Sequence, residues 1–258
     1  MWIGATMTVP GVSGGTMAVI VGIYEQLLDA VNGLGKNPKK CIPFLLRFVG
    51  GAGIGFLVFA RGITFLLSHP TMGGVVRLFF CGIVAGGIPL LVEKSGVKKI
   101  SFIHILWLIL GIILVLLLSQ IPQGMMGEGD GIITVLKMFA GGFLIAIALI
   151  LPGISATHML YILGLYETVL TMVYELQIVK LLPLLAGGIC GVFLTAGLLD
   201  KLMKRYTVQV YLVIIGFVAG SMTTLFPQGV IAYPVFGIIV AAVGCLGMYR
   251  LSMRAKNS

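Results

Sequence analysis

Four stretches of this chain, 102–119, 181–199, 207–226 and 230–249, each run for 18 to 20 residues without one Asp, Glu, Lys or Arg. An α-helix rises about 1.5 Å per residue, so each stretch is long enough to cross the ~30 Å hydrocarbon layer of a bilayer. Three more, 43–67, 72–92 and 131–150, are equally apolar except for Arg47, Arg61, Arg77 and Lys137. The rest of the chain leaves little from which to build a polar shell. Of 258 residues 59% are hydrophobic and 10% charged, and mean hydropathy is +1.14, values foreign to soluble domains. No ten-residue alternation of polar and apolar side chains recurs, which argues against a β-barrel. The expected fold class is therefore an all-α integral membrane protein.

The net charge of +9 would suggest a nucleic-acid partner in a soluble protein, but its placement excludes that reading. Basic residues gather in short loops at 36–40, 94–99, 201–205 and near the C-terminus at 250–256, twelve in all. The loops near 68–71, 120–130, 175–180 and 226–229 hold one, Lys180, together with Glu128, Asp130 and Glu175. This is the positive-inside pattern, and it places both termini on the cytoplasmic side of the membrane. The N-terminus lacks the basic start of a cleavable secretory signal. Cys41, Cys81, Cys190 and Cys245 lie singly in or beside apolar segments without CxxC spacing, so they read as small buried hydrophobes. No metal site, cofactor or disulfide is expected.

Residues 9–28, VPGVSGGTMAVIVGIYEQLL, align without gaps on 151–170, LPGISATHMLYILGLYETVL, pairing Pro10 with Pro152, Gly11 with Gly153, Ser13 with Ser155, Gly22 with Gly164, Tyr24 with Tyr166 and Glu25 with Glu167. Further on, Gly82 to Gly86 matches Gly216 to Gly220. Repeats are sought first because a missed one misreads the fold. Threading the chain to satisfy the loop charges makes each copy a helical hairpin followed by three crossings. An odd number of crossings inverts the second copy relative to the first, so residues 1–120 and 131–258 form an inverted-topology pair within one membrane domain. Broken helices in inverted repeats mark secondary transporters. Loop sides alone leave open whether each hairpin is re-entrant or crosses fully. The segment 131–150 has only residues 1–9 as its counterpart, so the first copy is about a dozen residues short and the native chain is expected to start earlier than Met1.

Proline removes a backbone donor and clashes with the preceding turn, so Pro10-Gly11 and Pro152-Gly153 must break their helices. Unpaired backbone at membrane depth is tolerated only beside protein or a polar cavity. Ser13 and Ser155 are good N-caps for the helices that follow. A helix start with Gly14, Gly15 and the Thr16 hydroxyl makes an anion site, suited to phosphate or carboxylate. In the second copy the same positions hold Ala156, Thr157 and His158, so the amide cradle is expected mainly on the first motif and any proton-linked role on the second. His158 reads as a proton-coupling or phosphate-contacting residue, or as a neutral imidazole bonded to a carbonyl. Arg61, deep in its span, is a candidate phosphate counter-charge or an ion-pair partner. Arg47 and Arg77 read as interfacial. Glu25 and Glu167 lie about 18 Å of helix beyond the capping serines, at a solvated hairpin end or in an ion-coupling role with a proton or sodium. Asp200 reads as a surface partner of the neighbouring basic cluster.

The sequence PGVSGGT followed by GIYE, with PGIS followed by GLYE, resembles the paired signatures of the bacterial PopT-like polyprenyl-phosphate transporters, once a domain of unknown function. The likeness covers nearly the whole chain. It implies a transporter rather than an enzyme, a flippase returning undecaprenyl phosphate, the carrier lipid of cell-wall synthesis, to the inner leaflet. The candidate substrate contacts, read from the residues themselves, are Ser13, Gly14, Gly15, Thr16, Ser155, Thr157, His158 and Arg61; Ala156, Thr157 and His158 depart from the small or hydroxyl residues that the resemblance leads one to expect there. Two rival readings remain: a carrier of a small anion or carboxylate, and an undecaprenyl-pyrophosphate phosphatase of the bacitracin-resistance type, which shares a PGxS motif. In that family an arginine follows the serine, whereas here Gly14 and Ala156 stand in its place, leaving the transferring phosphoryl group without its nearest cation.

Overall fold

All seven expected spans are helices in the structure, a computed structural model, which describes residues 1–9, 12–124, 131–227 and 233–256. In chain order the elements are α1 (Trp2–Thr6), α2 (Gly14–Val21), α3 (Tyr24–Gly33), α4 (Pro38–Ser68), α5 (Gly73–Ser95) and α6 (Phe102–Ser119). They continue as α7 (Ile132–Ile150), α8 (Ala156–Leu163), α9 (Tyr166–Tyr174), α10 (Ile178–Arg205), α11 (Thr207–Leu225) and α12 (Pro234–Lys256). Among the described residues there is no strand, and the chain is an all-α integral membrane protein. Pro10, Gly11, Glu128 and Asp130 lie outside the described residues.

Several spans outrun their apolar stretches, α12 among them, which runs to Lys256 rather than 249. α4 starts at Pro38 rather than 43, and α10 covers 178–205 rather than 181–199. Charge marks where a helix leaves hydrocarbon, not where it unwinds. Lys39 and Lys40 at one end, and Lys201, Lys204 and Arg205 at the other, prolong the helices into the headgroup region. Pro38 occupies the first turn of α4, where its missing N–H is no loss.

α5 and α11 are the most buried spans and pack on each other at the centre. α5 lies along α12, and α11 along α6. Both seams are made by glycine. Gly82 and Gly86 of α5 press on the carbonyls of Ala241 and Cys245, while Gly216 of α11 and Gly111 of α6 press on those of Leu108 and Val213, with no room for a Cβ. Between lipid-soluble helices there is little hydrophobic drive to associate, so close backbone approach through small residues supplies the packing. A third seam joins α7 to α10, where Gly187 and Gly191 meet the backbone of Phe139 and Phe143. A fourth joins α1 to α4, where Gly4 meets Ala52 and Gly55 meets Met1.

Cys41 and Cys81 are buried as expected, but Cys190 is exposed and Cys245 half-buried. A thiol behaves as a small hydrophobe, and on the outward face of α10 a lipid-facing position suits it as well as a protein-facing one.

Candidate functional site

The two helix breaks meet. α7 stops at Ile150, and Gly153, with φ of +83°, turns the chain so that Ser155 caps α8 by accepting His158 N–H at 3.3 Å. Ser13 caps α2 in the same manner, accepting Thr16 N–H at 3.1 Å. α2 and α8 are both eight residues long, and each ends on a left-handed glycine, Gly22 (φ 86°) and Gly164 (φ 71°), a conformation costly for any residue with a Cβ. Beyond the second of these, α8 and α9 diverge by 104°.

The contact between the copies is polar. Gly153 N–H donates to Thr16 Oγ1 at 2.7 Å and to Ser13 Oγ at 3.3 Å, and the two hydroxyl oxygens lie 2.8 Å apart. The Tyr24 hydroxyl donates to the Ile150 carbonyl at 2.7 Å. Gly15 sits so close that a Cβ there would lie 3.3 Å from the carbonyls of Leu149 and Ile150. Ser13 and Thr16 are buried, and their hydroxyls are engaged by the opposite break.

On the other side of Gly153 lies a cavity of about 530 Å³. The second motif lines it with Gly153, Ile154, Ser155, Thr157 and His158. The opposite walls come from the residues after α1, from one stripe of α4 (Phe56, Ala60, Thr64), and from the C-terminal ends of α6 and α11. Besides Ser155 and Thr157, five lining residues carry aliphatic hydroxyls: Thr8, Thr64, Ser119, Ser221 and Thr224; among the described residues no Lys, Arg, Asp or Glu lines it. Four of those five donate their protons to carbonyls of their own helix, as Ser221 does to Val218 at 2.9 Å and Thr224 to Ser221 at 2.7 Å. The donors left to the cavity include the first-turn amides of α8, which no helical carbonyl can satisfy, the Ser155 and Thr157 hydroxyls, and His158. Its Nε2 is buried and has no hydrogen-bond partner among the described residues. Such a site favours an anion through neutral donors and a helix start.

Of the residues expected to bind substrate, Ser155, Thr157 and His158 therefore line the cavity, while Ser13 and Thr16 stand directly behind Gly153. Gly14 abuts Met7, a lining residue. Arg61 follows a lining residue but lies exposed on α4, outside the cavity. Arg47 is exposed and Arg77 half-buried.

Glu25 is tied down. It pairs with Lys94 of α5 at 3.2 Å and accepts a hydrogen bond from the Tyr211 hydroxyl of α11. Its counterpart Glu167 is exposed. α3 also docks on α10 through Asn32 Nδ2, which donates to the Ala196 carbonyl at 3.3 Å, and through Asp29, 3.7 Å from Lys204. Lys204 pairs with Asp200 at 2.8 Å, the surface role expected for that aspartate. Sequence reasoning missed Tyr24, Tyr211 and Lys94. The repeated Tyr-Glu pair was the signal for the first, whereas the other two belong to unrelated stretches of sequence.

Residues 3–235 match the family described as VCA0040-like, undecaprenyl phosphate translocase-like. A Vibrio cholerae protein named polyprenyl-phosphate transporter is 28% identical over 239 residues, covering 87% of this chain and 74% of the relative. One of the same name from Staphylococcus aureus is 29% identical over 242 residues, covering 87% and 83%. No solved structure matches this chain.

Proposed function

Because the chain belongs to the undecaprenyl phosphate translocase-like family, we propose that it carries polyprenyl phosphate across the bacterial cytoplasmic membrane, holding the phosphate at the start of α8. The observation that carries this reading is the cavity: neutral donors at a capped helix N-terminus, and a His158 Nε2 with no partner among the described residues. Amides at a helix start and an imidazole can bind a phosphate without a fixed cation.

The lipid tail needs a different environment. Phe56 lies near the middle of α4, lines the cavity and is 46% exposed, so the cavity opens sideways along α4 as well as towards the helix ends. A phosphate fits inside while its tail stays in hydrocarbon. Arg61, on the outer face of the same helix, meets the headgroup before entry or after exit.

The inverted repeat supplies the means of moving that site between leaflets. Its support is the mirrored packing: α5 on α12 answers α11 on α6, α1 on α4 answers α7 on α10, and equivalent glycines make each seam. The loop charges favour both termini on the cytoplasmic side. His158 couples a proton to the headgroup in this scheme, with sodium as the alternative driving ion.

The test is purified protein in liposomes carrying polyprenyl phosphate in one leaflet. Transport predicts accelerated appearance in the other leaflet, loss of that acceleration in Ser155→Ala/His158→Ala, and no release of inorganic phosphate from the pyrophosphorylated lipid. Lipid movement no faster than in empty liposomes would end the proposal. Uptake of inorganic phosphate that excess polyprenyl phosphate leaves undiminished would favour a small-anion carrier.

A further inference from the structure

The two hairpins are not used alike. The first is latched by Glu25 to Lys94 and Tyr211 and docked on α10, whereas the second leaves Glu167 exposed, and α9 has no comparable packing on α4. The latch lies at the end of the molecule that carries the basic loops, beside Lys94 and Lys204. The cavity lies towards the other end, where Thr64, Ser119 and Thr224 line it close to the C-terminal ends of α4, α6 and α11. The latched hairpin and the cavity are thus at opposite ends, and the unlatched hairpin is on the side of the cavity.

The repeat assigns a partner for the free carboxylate. α5 begins at Gly73 and α11 at Thr207, 134 residues apart, as are Gly82 and Gly216. At that spacing Tyr211 corresponds to Arg77. Lys94 corresponds to position 228, a glutamine outside the described residues. The chemistry has changed places without changing its sum. In the first set a carboxylate meets a neutral hydrogen-bonding residue on α11 and a cation on α5; in the second the cation stands where the tyrosine was. Arg77 is half-buried and makes no ion pair with any described residue.

We infer that Arg77 is a positioning residue that receives Glu167 in the opposite state, so that transport exchanges a Glu25 latch for a Glu167–Arg77 latch. This rests on the inverted-repeat reading above. Exchange also fits the energetics. Two states stay within the few kcal/mol that permit both to be populated when the same kind of contact is given up at one end and regained at the other. A guanidinium offers both charge and a two-pronged donor, so Arg77 does alone what Lys94 and Tyr211 do together.

The experiment reads accessibility, not transport, so it stands apart from the identity of the lipid. In full-length protein whose four native cysteines are replaced by alanine, Thr224→Cys reports on the cavity mouth through its rate of labelling by a membrane-impermeant maleimide. Glu25→Gln, or Tyr211→Phe where the first variant folds poorly, slows labelling about fivefold or more as the population shifts away from this state. Adding Arg77→Gln or Glu167→Gln restores it. The doubly reversed Arg77→Glu/Glu167→Arg protein, with Glu25→Gln, labels slowly again. If Glu25→Gln and Tyr211→Phe leave the rate unchanged, or if Arg77→Gln fails to restore it, the exchange is wrong, whatever the liposome assay says about the lipid.

Discussion

At Thr16 a single hydroxyl oxygen accepts Gly153 N–H at 2.7 Å and lies 2.8 Å from Ser13 Oγ, with the side chain fully buried. Replacing it by valine keeps the shape and leaves a backbone donor at the second helix break with only a 3.3 Å bond to Ser13. Losing the shorter of two bonds to a half-buried donor costs about 0.5–1.5 kcal/mol, so Thr16→Val lowers the unfolding temperature in detergent, while Thr16→Ser keeps most of it. An unaltered unfolding temperature would show that the contact contributes nothing. His158 has the opposite character: its Nε2 has no partner to lose among the described residues. Its substitution should therefore spare stability and act on the ligand. A hydrogen bond to a charged group contributes about 1.5–3 kcal/mol, so His158→Ala weakens binding of polyprenyl phosphate roughly ten- to hundredfold, and His158→Gln, which keeps a donor, weakens it less. Calorimetry on detergent-solubilised protein separates the two roles, since a shared loss of stability and binding would make His158 structural.

At the scale of the helices, the closest backbone approaches are made at glycines. Gly82 faces the Ala241 carbonyl with no space for a Cβ, whereas a Cβ on Gly50 of α4 would meet nothing within 4 Å. Gly82→Leu forces α5 off α12 and is expected to cost at least the 1–3 kcal/mol or so typical of overpacking, seen as lost monodisperse protein. Gly50→Ala should be neutral or gain up to about 1 kcal/mol from helix propensity. Equal behaviour of the two would remove the seam from the account. The spans themselves were legible because hydrocarbon thickness and the absence of charge fix them directly, and the Gly82 and Gly216 seams were visible as a repeated motif. What the sequence hid was the direction of the hydroxyls. Ser13 and Ser155 look equivalent as N-caps, yet Ser13 serves Gly153 while Ser155 faces the cavity. The first motif, where the amide cradle was expected, thus stands behind Gly153, and the second lines the cavity. A repeat records what the halves share, whereas each conformation uses them unequally. Tyr211 and Lys94 were hidden for a related reason, since their meeting with Glu25 joins three helices remote in sequence.

Taken as a whole, the described residues enclose a partly polar space of about 530 Å³, set among helices whose outer faces are almost entirely apolar. A volume of that size admits a headgroup but cannot enclose a long polyprenyl chain, so the shape of the opening decides what can be carried. The stripe Phe56, Ala60 and Thr64 recurs every four residues along one face of α4, from mid-helix to near its end. Phe56 and Thr64 are exposed, while Ala60 between them is half-buried and has the smallest side chain of the three. A tryptophan at position 60 would bar the side opening without touching Ser155, Thr157 or His158, and it would leave the route to the helix ends clear. Ala60→Trp is thus expected to abolish most transfer of long-chain polyprenyl phosphate between leaflets while leaving the affinity for a short, water-soluble alkyl phosphate within about twofold, a difference of under 0.5 kcal/mol. The two measurements together test the lateral slot, because a cavity loaded only from water would lose both ligands or neither.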